Sequence, residues 1–248
     1  MALCGYFLVG FPSPKRFYEL VRAAQRLDVM EFGIPSCEPR LDGPTISRAH
    51  GIVVEERGLD PETSLALLGG LRDLLPPRFV MTYADDGRAH DGFLRSCVNH
   101  GVHGVFAPDI GAVEARHVAL LARTLQLAFV RFVDPMMPPD EVNAALVSAD
   151  IVYLRVAPGR TGGSAVLDPD DCRQLSALVR RARQLNPKLV LAGGIGVRSA
   201  EQVAALAALG LDMAIVGTTL VEQLELGADR LVAKVDELRQ ATLRPCSA

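Results

Sequence analysis

Short, nearly continuous apolar runs recur along the chain at Cys4–Val9, Val29–Phe32, Phe79–Thr82, Gly104–Ala107, Ala128–Val133, Ile151–Val156, Leu189–Ala192 and Met213–Val216. Unbroken apolar character over such short lengths is what a strand buried on both faces requires. Between the runs, apolar residues recur three and four apart. RFYELVRAAQRL (16–27), EARHVALLARTL (114–125), CRQLSALVRRARQL (172–185) and SAEQVAALAAL (199–209) carry this spacing, the signature of helices with one buried face. Ser199 with Glu201 and Gln202 reads as a helix start, and Asp168 reads as the N-cap ahead of Pro169. Strands alternating with helices over 248 residues predict a parallel sheet, either a closed (β/α)8 TIM barrel or an open doubly wound sheet. Eight units without a linker, low-complexity segment or shift in composition favour the closed barrel, as one domain over residues 1–248.

Composition narrows the function classes. The chain is 49% apolar, 22% charged and carries a net charge of −3, with no basic stripe of the kind that binds nucleic acid. Arg180, Arg181 and Arg183 form the one tight cationic cluster, and their spacing reads as a solvated helix face. Five cysteines lie far apart without a CxxC pair, which supports neither a zinc site nor a disulfide framework and predicts reduced thiols. The N-terminal apolar run lacks a basic leader and is too short for a signal peptide, and no stretch reaches the roughly 18 apolar residues of a membrane span. A cytoplasmic protein with no membrane association is expected.

In a barrel of this kind, chemistry belongs to residues at and just after the strand ends. Glu31 ends the second apolar run, and Asp42 follows in the loop EFGIPSCEPRLDGP. Apolar neighbours raise a carboxyl's pKa and suit Glu31 to giving and taking a proton, although a structural pairing with an arginine fits the same position. Asp42 reads as a turn former before Gly-Pro or as a second acid. Tyr83, Asp85, Asp109, Tyr153 and Thr161 stand at the other strand ends or their loops; Asp109 also fits a helix cap, and the tyrosines fit packing roles. After the seventh and eighth strands come AGGIG (Gly193, Gly194, Gly196) and VGTTL (Gly217, Thr218). Glycine turns opening helices predict a phosphate site, and GRTGG (159–163) is a third glycine cluster that fits backbone donors or a lid. The histidines are dispersed, so neither a metal site nor a histidine base is assigned.

Taken together these segments resemble the tryptophan synthase alpha chain family. MEFGIPSCEPRLDGPTI is similar to its E-L-G-I-P-F-S-D-P-x-A-D-G-P stretch, FVMTYADD to M-x-Y-x-N, and GVHGVFAPDI to G-V-x-G-V-x-x-P-D-L. VYLRVAPGRTG, LAGGIGVRSAEQV and MAIVGTTLV resemble Y-x-x-S-x-x-G-V-T-G, G-F-G-I-S-x-x-E-x-V and V-V-G-S-A-I-V, all in the same order. The resemblance implies a (β/α)8 lyase that cleaves indole-3-glycerol phosphate to indole and glyceraldehyde 3-phosphate without metal or organic cofactor. By position it makes Glu31 the acid/base, Asp42 the acceptor of the indole N–H and Tyr153 their neighbour. Tyr83 and Gly193 then fall at the substrate, Thr161 and Gly162 on a lid loop, and Gly162, Gly194, Gly217 and Thr218 on the phosphate.

Several positions depart from that pattern. Ser36, Cys37 and Glu38 replace F-S-D, and Arg40–Leu41 precede Asp42. The resemblance implies that this loop faces a PLP-dependent beta chain, and the changes over 36–41 argue against that partner. Phe11 replaces the aspartate of G-D-P, Asp85 the asparagine of M-x-Y-x-N, and Gly193 the aromatic of G-F-G, which predicts a lost wall beside the ring. The helix that precedes the first strand in that family has no counterpart, predicting a differently capped or open barrel bottom. Two enzyme readings follow: the indole-releasing lyase, or a paralogue acting on another phosphorylated substrate, which Gly193 and Arg40 favour. A non-catalytic phosphate-binding subunit would not need Glu31, Asp42 and Tyr153 together, and a sugar-phosphate isomerase would need acids on the first and fifth strands.

Overall fold

All eight apolar runs form parallel strands: β1 (Ala2–Leu8), β2 (Val29–Gly33), β3 (Arg78–Met81), β4 (Gly104–Phe106), β5 (Ala128–Val133), β6 (Ile151–Arg155), β7 (Val190–Gly194) and β8 (Met213–Val216). In the computed structural model, which describes residues 1–84, 90–156 and 169–243, each strand pairs with the next. β8 pairs back to β1 through Ala2↔Met213, closing the barrel. Six of the eight strands shift by one or two residues at an end: β1 begins at Ala2 rather than Cys4, for example, and β7 runs on through Gly194.

Alternation along the strands separates two cores. Cys4, Met81, Phe106, Val130, Phe132, Tyr153, Ala192, Met213 and Ile215 fill the barrel interior. Leu3, Phe7, Met30, Phe32, Val80, Val152, Leu154 and Val216 face outward against the helices. Around the barrel run α1 (Pro14–Ala23), α2 (Pro44–Gly51), α3 (Pro61–Gly69), α4 (Asp91–Asn99), α5 (Ala112–Thr124), α6 (Pro139–Ser148), α7 (Pro169–Leu185), α8 (Ala200–Ala208), α9 (Thr218–Leu226) and α10 (Ala228–Thr242). Helix α8 starts on the expected capping box of Ser199 and Gln202. Helix α2 continues into a π-helical turn at Ile52–Glu56. Asp168, the expected cap of α7, lies outside the described residues.

Two aspartates tie strand starts at the N-terminal face. Asp28 accepts the Leu3 N–H at 2.9 Å and pairs with Arg239 at 3.0 Å. Asp212 accepts the Leu191 N–H at 2.8 Å and pairs with Arg183 at 2.7 Å. Arg183 is therefore not part of a merely solvated face: it reaches from α7 to Asp212, just ahead of β8, leaving Arg180 and Arg181 exposed.

The same face holds one buried cation. Arg78 opens β3 at 4% exposure, and its guanidinium donates to the carbonyls of Leu71 and Gly101. It thereby closes the chain ends after α3 and α4 against the sheet. Removing a charged donor strands buried carbonyls, so Arg78→Met is expected to lower unfolding free energy by about 2–3 kcal/mol in a urea titration. A loss below about 0.5 kcal/mol would contradict this role for the guanidinium.

Candidate active site

At the C-terminal mouth the barrel interior opens into a cavity. Leu41, Ile46, Met81, Phe106, Pro108 and Ile215 make its apolar walls. Glu31 enters from β2 and Asp42 from the loop ahead of α2, so the two acids face one space.

Glu31 is 5% exposed, and no arginine is bonded to it among the described residues. Burial, and then the nearby Asp42 charge, push its carboxyl up to about 8. Losing hydration disfavours the ionised form, and a like charge adds to the effect. The thiol of Cys4, on the neighbouring strand, is raised by burial and by the Glu31 charge, so it is no nucleophile.

Asp42 is 4% exposed and is more than a turn former. Its N–H does close a turn onto the Pro39 carbonyl at 3.2 Å. Its Oδ2 accepts the Tyr83 hydroxyl at 2.8 Å, and Tyr83 in turn accepts the Leu41 N–H at 3.2 Å. Tyr83 thus supports Asp42 from behind. His50 Nε2 stands 3.5 Å from the same carboxylate oxygen, while Nδ1 accepts the Ser36 N–H at 2.9 Å. The accepting Nδ1 leaves the neutral ring's proton on Nε2, facing Asp42.

Tyr153 projects inward from β6. Its ring stacks on Phe106 (centroids 4.9 Å apart) and meets Phe132 edge-on at 5.9 Å. Burial and then the Glu31 charge hold its hydroxyl protonated. Gly194 is what makes room for this hydroxyl, because a Cβ there would overlap it. Tyr6 on β1 repeats the device: it pairs in register with Glu31, and its hydroxyl lies over Gly33, where a Cβ would overlap it.

The glycines after β7 divide differently from expectation. Gly193 points away from the cavity, where a Cβ would collide with Leu211 and press on Val156 and Leu206. It removes no wall beside the ring; Ile195, in a left-handed conformation at φ 58°, supplies that wall. Gly196 (φ 102°), Gly217 and Thr218 line the rim, with Gly217 capping α9. Arg198 lies beside them, its Nη2 on both Glu222 oxygens at 2.8 and 2.9 Å, and its carbonyl accepts the Thr219 hydroxyl at 3.3 Å. A helix N-terminus, glycine amides and a guanidinium together suit an anion.

Asp109 caps no helix: α5 starts on Gly111, and Asp109 Oδ1 accepts the Ala84 N–H at 2.8 Å. Asp85, Thr161 and Gly162 lie outside the described residues. Among the described residues no cluster of three or more His, Cys, Asp or Glu could hold a metal ion, and no helix is long and apolar enough to cross a membrane. Four contributors were not singled out in the sequence: Tyr6, His50, Ile195 and Arg198. Ile46 and His50, four residues apart, share the buried face of α2, and that spacing was the available signal for His50.

The family model for the tryptophan synthase alpha chain matches residues 1–244. A tryptophan synthase alpha chain of Laribacter hongkongensis is 30% identical over 251 aligned residues, covering 97% of this chain and 92% of that protein. The alpha chain of Mycobacterium leprae is 30% identical over 244, covering 96% and 87%. Among solved structures, tryptophan synthase from Mycobacterium tuberculosis superposes with a TM-score of 0.87 at 28% identity, covering 98% of this chain and 93% of that one.

The seat under Tyr153 gives a direct test. Gly194→Ala is expected to destabilise the protein by about 1–3 kcal/mol through overpacking. Adding Tyr153→Phe, which removes the overlapping hydroxyl, is expected to restore part of that loss in a denaturant double-mutant cycle. Strict additivity of the two changes would refute the contact.

Proposed function

The chain belongs to the tryptophan synthase alpha chain family, and on that premise we propose that it is a lyase releasing indole from indole-3-glycerol phosphate. The observation that carries the reading is the pairing in one cavity of a carboxyl held neutral near pH 7, Glu31, with a hydrogen-bonded carboxylate, Asp42. An apolar slot for a flat ring lies between them and an anion-binding rim.

The reaction is a retro-aldol cleavage. Glu31 gives its proton to indole C3, and Asp42 accepts the ring N–H and stabilises the cationic indolenine. The bond from C3 to the side chain breaks, its electrons restoring the aromatic ring. The adjacent hydroxyl passes its proton to the Glu31 carboxylate and becomes the aldehyde, so the enzyme ends protonated as it began. Dividing the work between two carboxyls in unlike environments is how one pocket runs acid and base steps at one pH. Gly217 and Thr218 hold the phosphate through the start of α9, with Arg198 adding charge. The part of the lid reading that falls on Thr161 and Gly162 concerns residues outside those described.

Neither residue that favoured a different phosphorylated substrate lines the cavity: Gly193 is turned away, and Arg40 is exposed on Glu38 at 3.4 Å. We propose further that the lyase works without a beta chain, because Cys37, Glu38 and Arg40 present an altered exposed surface over 36–41.

Glu31→Gln is expected to lower indole release by about 10²–10⁴-fold while leaving binding of glycerol 3-phosphate unchanged. With Glu31 raised to about 8, the acid form persists through neutrality, so the wild-type rate should fall as pH climbs past that value. A Glu31→Gln enzyme with the wild-type rate would remove Glu31 from the mechanism.

A further inference from the structure

Among the described residues that line the cavity, one hydroxyl is both buried and unpaired. Tyr83 donates to Asp42, and the Tyr153 hydroxyl is seated over Gly194. The Tyr6 hydroxyl is buried and has no hydrogen-bond partner among the described residues. It sits in strand register with Glu31 and over Gly33, and both Asp42 and Glu31 act on it electrostatically. Buried hydroxyls in native proteins are nearly always paired, and an unpaired one in a cavity points to a ligand atom.

The ligand atom follows from chemistry. A Tyr hydroxyl kept protonated by burial and two carboxyls needs an acceptor. The indole N–H is a donor, the ring carbons offer none, and the phosphate belongs to the rim at Thr218. Only the side-chain hydroxyl next to the ring brings an acceptor oxygen to the Glu31 end.

We infer that Tyr6 is a further catalytic residue, donating its hydroxyl to the substrate oxygen that becomes the aldehyde oxygen. This rests on the lyase reading above. Tyr6 keeps its own proton throughout: the substrate hydroxyl proton goes to the Glu31 carboxylate, and the Tyr6 hydrogen bond aims that O–H at Glu31. The oxygen gains negative charge as its proton leaves, so the bond is stronger in the transition state than in the bound substrate, and its loss should fall mainly on kcat.

The test is Tyr6→Phe, which keeps the ring and its seat. Indole release from indole-3-glycerol phosphate should fall about 10- to 100-fold, mostly in kcat. Binding of indole-3-propanol phosphate, which lacks the side-chain hydroxyls, should match wild type. The thermal midpoint of the free protein should hold or rise, because the variant removes an unpaired buried hydroxyl. Unchanged turnover would overturn the inference while leaving the lyase standing. A lower midpoint with weaker analogue binding would also overturn it, by showing a structural role. Wild-type protein releasing no indole would overturn the lyase reading and this inference with it.

Discussion

The desolvation of one carboxyl organises this site. Glu31 sits on a strand whose inward neighbours are Cys4, Met81, Phe106 and Tyr153, so water has little access to it. The barrel creates that condition by closing β8 onto β1, and helices cover the outer face with a separate apolar core. A carboxyl in such a place keeps its proton unless something compensates its charge. The neighbouring Asp42 charge pushes the same way as burial. The result is a neutral acid within the reach of a carboxylate, which a surface pair of acids would not provide.

Hydrogen bonding then separates the two acids into unlike partners. Asp42 is served by Tyr83 and faced by His50, which is itself fixed through Ser36. These contacts are set by α2, whose first turn follows Asp42 directly and whose later turn carries His50. Glycine has a specific use here. Gly33 and Gly194 leave the volume that the Tyr6 and Tyr153 hydroxyls occupy, which lets two long side chains lie across the barrel mouth without overpacking. The glycine-lined rim is stitched separately, by Arg198 to Glu222 and Thr219 to the Arg198 carbonyl, so the turns after β7 and β8 form one surface.

The architecture was largely legible in the sequence because an unbroken apolar run of strand length fits little besides a strand covered on both faces. Glu31 and Asp42 were legible as acids where a barrel carries its chemistry. What failed was direction. Of two consecutive glycines at 193 and 194, strand alternation turns one inward and one outward. That register depends on the neighbouring strand, so the ring wall was assigned to Gly193 when Ile195 supplies it. Tyr6 reads as one more apolar letter in β1, and only the pairing with Glu31 reveals its hydroxyl as a pocket group. The bond of Tyr83 to Asp42, 41 residues earlier, was not legible because the two become adjacent only when β2 and β3 pair. Dispersed histidines likewise hid His50, which lies on the buried face of α2 and meets Asp42 from there.

The central claim is that the fold keeps Glu31 protonated at neutral pH. Its most direct test is a carbon-13 NMR titration of the Glu31 side-chain carboxyl in the folded, ligand-free protein, assigned by comparison with Glu31→Gln. The account predicts a midpoint near 8. A midpoint near the ordinary glutamate value of about 4.3 would show a solvated or compensated carboxylate, and would contradict the account at its base.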